Sequence, residues 1–152
     1  MIVRDLEGDD RDVCRALFQE LVGTHRALYP GAEIGSKFRL EGRIFVAEDE
    51  GRVVGYAGLI WHRRVAELEP IVVAQDHRRR GIGLALAERV MKEARDGGAV
   101  RIFVRPAARN REGIAFFHSI GFDVLGYVQL QVDFEPRERR VGERIAERKF
   151  RV

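Results

Sequence analysis

One cysteine, Cys14, is the only thiol among the 152 residues, so no disulfide within the chain is available to brace it. That usage points to the cytoplasm. The amino terminus, Met1-Ile2-Val3-Arg4-Asp5, has no apolar signal core, and no apolar run approaches the roughly 20 residues needed to cross a bilayer. Four histidines, His25, His62, His77 and His118, stand singly, without H-E-x-x-H or C-x-x-C spacing, so no metal is expected. A G-x-S-x-G elbow for serine hydrolysis is missing. Repeats, low-complexity tracts and linkers are missing as well, and the length fits one domain over 1–152. Most of the chain also lacks any charge excess. Seven basic and four acidic residues from Glu135 to Val152 account for the whole net charge of +3, and residues 1–134 balance. A basic nucleic-acid-binding domain would therefore have to rest on the tail or on Arg78–Arg80, with no groove-reading or base-stacking motif beside them.

What is present is an ordinary globular composition, 45% hydrophobic and 34% charged, organised around the stretch from Glu69 to Met91. Ile71-Val72-Val73-Ala74 is a continuous apolar, β-branched run, the mark of a strand covered on both faces. Gln75-Asp76-His77 turns the chain into Arg78-Arg79-Arg80-Gly81-Ile82-Gly83, and Leu84 leads into a helix with Leu86, Ala87, Val90 and Ala94 on one face. Glycines at a strand-to-helix turn let the backbone bend and approach a ligand. Amides at a helix start lack intrahelical acceptors, and the helix dipole favours an anion there. Three arginines add permanent charge. The pattern suits a phosphate, although an ordinary turn with solvated arginines carries the same glycines. It matches neither G-x-G-x-x-G nor the Walker sequence.

Around this stretch, hydrophobic periodicity predicts a first strand over Met1–Leu6. Next comes a helix capped by Asp9 or Asp10, with Val13, Ala16, Leu17, Phe18, Leu21 and Leu28 on its apolar face and Cys14 packed near it. Tyr29-Pro30-Gly31 ends that helix, and Ala32–Glu41 reads as a loop or short helix holding Phe38 and Leu40. Two strands, Ile44–Ala47 and Val53–Trp61, flank an Asp49–Arg52 hairpin turn. The fourth strand, Val65–Ala74, contains Pro70, which cannot donate to a ladder and so implies a bulge or an unpaired stretch. The next helix ends at Asp96-Gly97-Gly98, and Val100, Ile102 and Val104 alternate as a fifth strand. A right-handed crossover then makes the fourth and fifth strands parallel. Asn110 is a good cap for a short helix ended by Gly121, and Phe122–Phe134 alternates as a long strand. In the tail, Ala146, Arg148, Phe150 and Val152 alternate like an edge strand, Val141 and Ile145 also fit a helix face, and a solvated charged tail has similar composition.

Arg78-x-x-Gly81-x-Gly83, set between strand and amphipathic helix, resembles the acetyl-CoA pyrophosphate loop of the GNAT superfamily of N-acetyltransferases. A second motif agrees in order: Asn110, then Ala115-Phe116-Phe117, then Ile120-Gly121-Phe122. The resemblance covers Glu67 to Phe122. It implies an α/β (α+β) fold with a mixed, mostly antiparallel sheet splayed between strands 4 and 5 and flanked by helices, closed by a final strand in the tail. It implies acetyl-CoA as co-substrate, with the pyrophosphate at the amides of Arg79, Arg80, Gly81, Ile82, Gly83 and Leu84 and with Arg78 nearby. The pantetheine arm would lie along Ile71, Val72 and Val73 as an added strand. Asn110 would contact the cofactor as well as cap its helix, and Phe117 would pack at the sulfur end. The reaction implied is direct attack by an amine, with the Val73 N–H stabilising the oxyanion.

Glu67 and Glu69 share one face of the fourth strand, where two carboxylates are unusual unless the strand end is solvated and paired with Arg63 or Arg64. By resemblance Glu69 stands where many family members hold the base that deprotonates the amine, and Glu67, Tyr29, Trp61 and His62 fall in regions that build the acceptor pocket. Family members often form dimers, which makes a homodimer an expectation. Two departures stand out. Phe117 replaces a frequent tyrosine acid, and Gly113 replaces a helix-favouring alanine, at about 1 kcal/mol of helix propensity. The first departure keeps a second function open, a non-catalytic acyl-CoA-binding sensor or scaffold.

Overall fold

The computed structural model describes residues 1–32, 35 and 37–151. The order is β1 (Ile2–Asp5), α1 (Arg11–Leu28), β2 (Arg43–Asp49), β3 (Arg52–His62), β4 (Val65–Val73), α2 (Ile82–Asp96), β5 (Arg101–Phe103), α3 (Arg111–Ser119), β6 (Val141–Ile145) and β7 (Arg148–Arg151). Strands β1 to β5 form one sheet in sequence order, antiparallel throughout except for the parallel β4–β5 pair. The parallel pair is what a strand–helix–strand crossover requires.

Helices cover both faces. On one, Cys14 and Leu17 of α1 pack on Ile44, Val46, Tyr56 and Val72. On the other, Ile82, Leu86, Ala87, Val90 and Ala94 of α2 pack on Phe45, Ala57, Leu59, Ala66 and Leu68. Cys14 is fully buried, and burial pushes its thiol up to about 11, so it packs as a small hydrophobe. Asp10 precedes α1 but does not cap it. Its carboxylate accepts the Glu7 N–H at 2.8 Å and pairs with Arg4 at 2.7 Å, which stabilises the 3-10 turn Gly8–Asp10 instead.

Strand β4 bears the expected bulge. Leu59 faces Leu68 and Ala57 faces Ile71, so three steps along β4 match two along β3. The extra residue lies at Glu69–Pro70, opposite Gly58, where a side chain would strike the Glu69 carbonyl oxygen at 2.2 Å. An extra residue reverses the alternation of faces. Ala66 and Leu68 before the bulge and Ile71 and Val73 after it therefore all pack with the α2 cluster, and Val72 turns to α1.

Two expectations are corrected, and an alternative left open for residues 32–41 is narrowed. Residues 122–134 form no strand, because an extended segment becomes one only when a neighbour pairs its backbone, and among the described residues none does. The tail does not close the main sheet. Instead β6 and β7 form a separate antiparallel hairpin, with Ala146 and Glu147 at its turn in the left-handed region. Ala146 thus leaves the strand pattern, and Val152 lies outside the described residues. In the 32–41 segment the described residues hold no helix, while Phe38 and Leu40 pack on the α1-side cluster; positions 33, 34 and 36 lie outside the described residues.

Candidate functional site

The site begins where two strands part. The β4–β5 pairing stops at Glu67 and Phe103, while β4 runs on to Val73. Beyond that point one edge of β4 has no strand beside it among the described residues. The Ala74 N–H donates to the Val54 carbonyl at 2.8 Å. Hydrogen-bonded and non-bonded pairs alternate along an antiparallel ladder, so the Val54–Ala74 and Tyr56–Val72 pairs bond across to each other. Ile71 and Val73 consequently turn their main-chain groups away from β3, into the split. The Val73 carbonyl there accepts the Arg78 Nε–H at 3.1 Å, which draws Arg78 across the mouth. Val72, placed by the sequence with its two neighbours, instead points its side chain into the α1-side core and bonds back to β3.

At the same mouth α2 begins. Gly81 lies in the left-handed region at φ 83°, and so does Arg79 at φ 60°, a conformation L side chains adopt at a cost. The first intrahelical bond is Ala85 N–H to the Gly81 carbonyl at 3.0 Å, which leaves the amides of Ile82, Gly83 and Leu84 ahead of it. A side chain on Gly83 would come within 3.8 Å of Val73 Cγ2 and 3.5 Å of the Phe116 ring, so this helix start sits between the end of β4 and α3. Arg79 and Arg80 are exposed, Leu84 is exposed and Ile82 is buried in the core.

Helix α3 brings its own two candidates. Asn110 Oδ1 accepts the Gly113 N–H at 2.9 Å, the expected cap. The glycine at 113 is what makes room for it, since a Cβ there would lie 2.6 Å from Asn110 Nδ2. Phe117 stacks between Phe116 and Phe122, at 5.3 and 5.6 Å between ring centroids. Phe116, rather than Phe117, is the aromatic next to Gly83.

Before the bulge, Glu67 and Glu69 project to the face that α1 leaves open. Glu67 is fully buried, with its Oε2 2.6 Å from His62 Nε2 and its Oε1 2.6 Å from Arg105 Nη2; the second contact is an ion pair without hydrogen-bond alignment. Burial pushes the Glu67 carboxyl up, but His62, Glu69 and Arg105 outweigh it and hold the group below its ordinary value. Glu69 is half-exposed and lies 3.9 Å from Arg105. Burial, then the hydrogen bond and charge of Glu67, raise its carboxyl above the ordinary value. Two carboxylates side by side thus titrate apart, the inner one held below and the outer one raised above the ordinary value.

The partners of this pair are His62 and Arg105, not Arg63 or Arg64. Arg105 could have been found from the sequence. Arg101, Phe103 and Arg105 alternate in the sequence, parallel register sets Phe103 beside Glu67 at the end of β5, and Arg105 follows two residues on. Trp61 is not brought here: it pairs with Ala66, and its indole lies against Gly97 at the far end of α2. Tyr29 closes α1, where its hydroxyl accepts the Arg109 N–H at 2.9 Å and its ring lies under the Arg109 guanidinium at 4.7 Å. It ties the loop before α3 to the end of α1. A surface hollow lined by Arg11, Arg15, Phe38, Arg39, Leu40 and Glu41 lies beyond the split and shares none of its residues. Among the described residues no group of three or more His, Cys, Asp and Glu side chains is placed to hold a metal ion, and no helix is long and apolar enough to cross a membrane.

Known proteins are similar to this chain in sequence and in fold. An uncharacterized N-acetyltransferase of Mycobacterium tuberculosis is 32% identical over 84 residues, covering 55% of this chain and 54% of that protein. The human protein N-acetyltransferase 8 is 31% identical over 88 residues, covering 54% of this chain and 39% of that protein. The chain therefore spans about half the length, or less, of these curated relatives. Among solved structures, the ribosomal-protein-alanine N-acetyltransferase of Brucella melitensis superposes with a TM-score of 0.66 at 26% identity, over 80% of this chain and 83% of that one. The aminoglycoside N-acetyltransferase AAC(6')-Iy in complex with CoA shares the fold, with a TM-score of 0.66 at 20% identity, over 87% of this chain and 98% of that one. The sequence model of the Acetyltransferase (GNAT) family matches residues 11–122, most of the sheet and all three helices, and the chain belongs to that family.

Proposed function

We propose that residues 1–152 act as one N-acetyltransferase domain that moves an acetyl group from acetyl-CoA to an amine by direct attack. The observation that carries this reading is the split itself. Ile71 and Val73 turn main-chain groups that β3 does not pair into it, the Val73 carbonyl meeting Arg78, and the start of α2, flanked by Arg78, Arg79 and Arg80, lies at its mouth. An extended molecule with a peptide-like arm and a pyrophosphate fits that combination: strand-like pairing on one side, helix-start amides and arginines on the other. When bound, acetyl-CoA supplies the activated acetyl group.

The residues of the chain divide the remaining work. Ile71 and Val73 hold the arm in line with β4, and Gly81, Ile82, Gly83 and Leu84 present amides to the phosphates. Asn110 and Phe117 wall the far side of the split through α3. Glu69, with its raised carboxyl, takes the proton of the incoming ammonium, so that a neutral amine forms the new C–N bond. Glu67, held by His62 and Arg105, keeps its charge and attracts that ammonium. The Val73 N–H, fixed by the strand, faces the place where negative charge grows on the carbonyl oxygen. No side chain at 117 offers a proton to the departing thiolate, and with a reference thiol pKa of about 8.5 it can take one from water or from the proton the amine released.

Titration calorimetry with acetyl-CoA, followed by thiol release over a panel of polyamines, amino acids, aminoglycosides and peptide N-termini, tests both halves. Binding with acceptor-dependent thiol release is the expected result. Binding without release from any amine would leave an acyl-CoA-binding module, and no binding at all would refute the assignment of the split.

A further inference from the structure

Arg105 stands beside Glu69 with most of its hydrogen-bonding capacity unspent. It follows the end of β5 by two residues, and its side chain is 66% exposed. Its Nη2 meets the buried Glu67 Oε1 at 2.6 Å and lies 3.9 Å from Glu69 Oε2. A guanidinium has five N–H donors and keeps its charge at every working pH. Among the described residues, nothing accepts a hydrogen bond from its Nε or Nη1.

The group is nevertheless held in place. It lies over the Phe103 ring, 5.6 Å from the centroid, and the same ring faces His62 at 5.7 Å. His62 meets Glu67 Oε2 and Arg105 meets Oε1, so Phe103 lines up both partners of the buried carboxylate. Oε1 itself is buried without an aligned hydrogen bond. A buried acceptor in that state is uncommon, and it marks a place where one more donor fits.

Glu69 and Arg105 thus present an anion and a cation side by side, both open to solvent and too far apart to hydrogen-bond to each other. A molecule that bridges them needs both charges at a matching separation. In an α-amino acid the nitrogen and a carboxylate oxygen are about 2.7–3.6 Å apart by standard bond lengths. Its ammonium against Glu69 and its carboxylate against Arg105 close a ring of four alternating charges, each contact charge-assisted. A second ammonium N–H is then near the orphaned Glu67 Oε1. A polyamine brings another cation toward Arg105 and offers it no acceptor. A peptide N-terminus carries a neutral amide where the free amino acid has its carboxylate.

We propose that the acceptor is a free α-amino acid, its ammonium seated on Glu69 and its carboxylate on Arg105. This rests on the acetyl transfer proposed above and names the acceptor for it. The new N–C bond replaces the C–S bond of the thioester. Of the two protons the ammonium gives up, one goes to Glu69 and the other to the departing thiolate. Acetylation cancels the ammonium charge, so the product keeps only the Arg105 contact and leaves.

The test measures thiol release from leucine, phenylalanine and lysine, each as the free acid, the carboxamide and the decarboxylated amine. The expected result is a kcat/KM for the best acid at least about tenfold above that of its amide, the scale of one hydrogen bond between charged groups. Arg105→Gln should bring that ratio down to about one, and Arg105→Lys, which keeps the charge but not the planar fork, should retain part of it. The ratio is the readout because Arg105→Gln also strips Glu67 of its cation, which weighs on acid and amide alike. An amide or amine that matches its acid, or a ratio that Arg105→Gln leaves unmoved, overturns the proposal and leaves the acetyltransferase reading standing. If no amine releases thiol, acetyl transfer itself fails, and calorimetry of the three acids against the CoA-loaded chain decides the site. Binding that Arg105→Gln abolishes supports it, and no binding overturns it. If Arg105→Gln does not fold by circular dichroism, the acid-to-amide ratio of the wild type and of Arg105→Lys decides.

Discussion

Replacing Gly113 by alanine should fail to stabilise the protein, although helix propensity says that it should. Alanine is better than glycine inside a helix by about 1 kcal/mol. At this position, however, the added Cβ would lie 2.6 Å from Nδ2, 2.9 Å from Cγ and 3.1 Å from Oδ1 of Asn110. The amide must swing away, and its hydrogen bond to the Gly113 N–H goes with it. Losing an N-cap costs about 0.5–2 kcal/mol, typically about 1. The two effects cancel, so Gly113→Ala should stay within about 0.5 kcal/mol of wild type. Asn110→Ala should lose about 1 kcal/mol. In Asn110→Ala/Gly113→Ala there is no cap left to evict, so the helix gain comes through whole and the double variant returns to near wild type. The coupling between the sites is then about 1 kcal/mol, the size a double-mutant cycle resolves between residues in contact. Urea unfolding with an unchanged slope measures it, and each kcal/mol should move Tm by about 2–4 °C in a chain of this size. A stabilisation of the full propensity value in Gly113→Ala, with the single changes adding to the double, would refute the reasoning.

Three further outcomes follow from the site. Glu69→Gln should lower turnover by about 10²–10⁴-fold at neutral pH and recover at high pH, where the amine is already neutral. Because burial and Glu67 raise the Glu69 carboxyl, it stays protonated to a higher pH than an ordinary glutamate. The acid limb of kcat/KM in the wild type should therefore lie above the ordinary carboxylate range and vanish in the glutamine variant; an unmoved limb would shift the role to another group. Gly83→Val should abolish acetyl-CoA binding in calorimetry while the fold survives, because its methyl groups would enter the gap between Val73 and Phe116; unchanged affinity would contradict the loop assignment. Phe117→Tyr should change turnover by less than about tenfold, or about 1.4 kcal/mol in barrier, and Phe117→Ala should instead lower stability by loosening the stack of Phe116, Phe117 and Phe122.

The parts legible in the sequence were those governed by local chemistry. Arg78, Gly81 and Gly83 announce a strand-to-helix turn because only certain backbones turn there, and Asn110 announces a cap because its side chain serves its own helix. Pro70 foretold the bulge for the same reason, since it removes a donor from the ladder. Parts set by long-range partners were less legible. Glu67 was visible as an unusual strand carboxylate, but its ion-pair partner Arg105 is 38 positions later, and only the β4–β5 register joins them. Trp61 looked like a pocket aromatic until the strand's alternation assigned it to α2. Gly113 looked like a weakness because the atom it spares belongs to a neighbouring side chain. The 122–134 segment has the alternation of a strand, and alternation reports which face would be buried without supplying the neighbour that buries it.

The bulge at Glu69–Pro70 makes β4 a strand with two phases. Ahead of it the odd-numbered residues Glu67 and Glu69 look away from α2; behind it the odd-numbered residues Ile71 and Val73 look toward α2. A single-residue deletion here would leave the chain only one residue shorter, yet it would swap the facing of everything on one side of it. Either Glu67 and Glu69 would be driven into the apolar contact with α2, or Ile71 and Val73 would turn out of it and carry the Val73 amide off the split. The reading frame of this strand, in the sense of which residues face which chemistry, is therefore kept by one supernumerary position. Length changes that the 32–41 segment or the β6–β7 turn could absorb should be intolerable within these few residues.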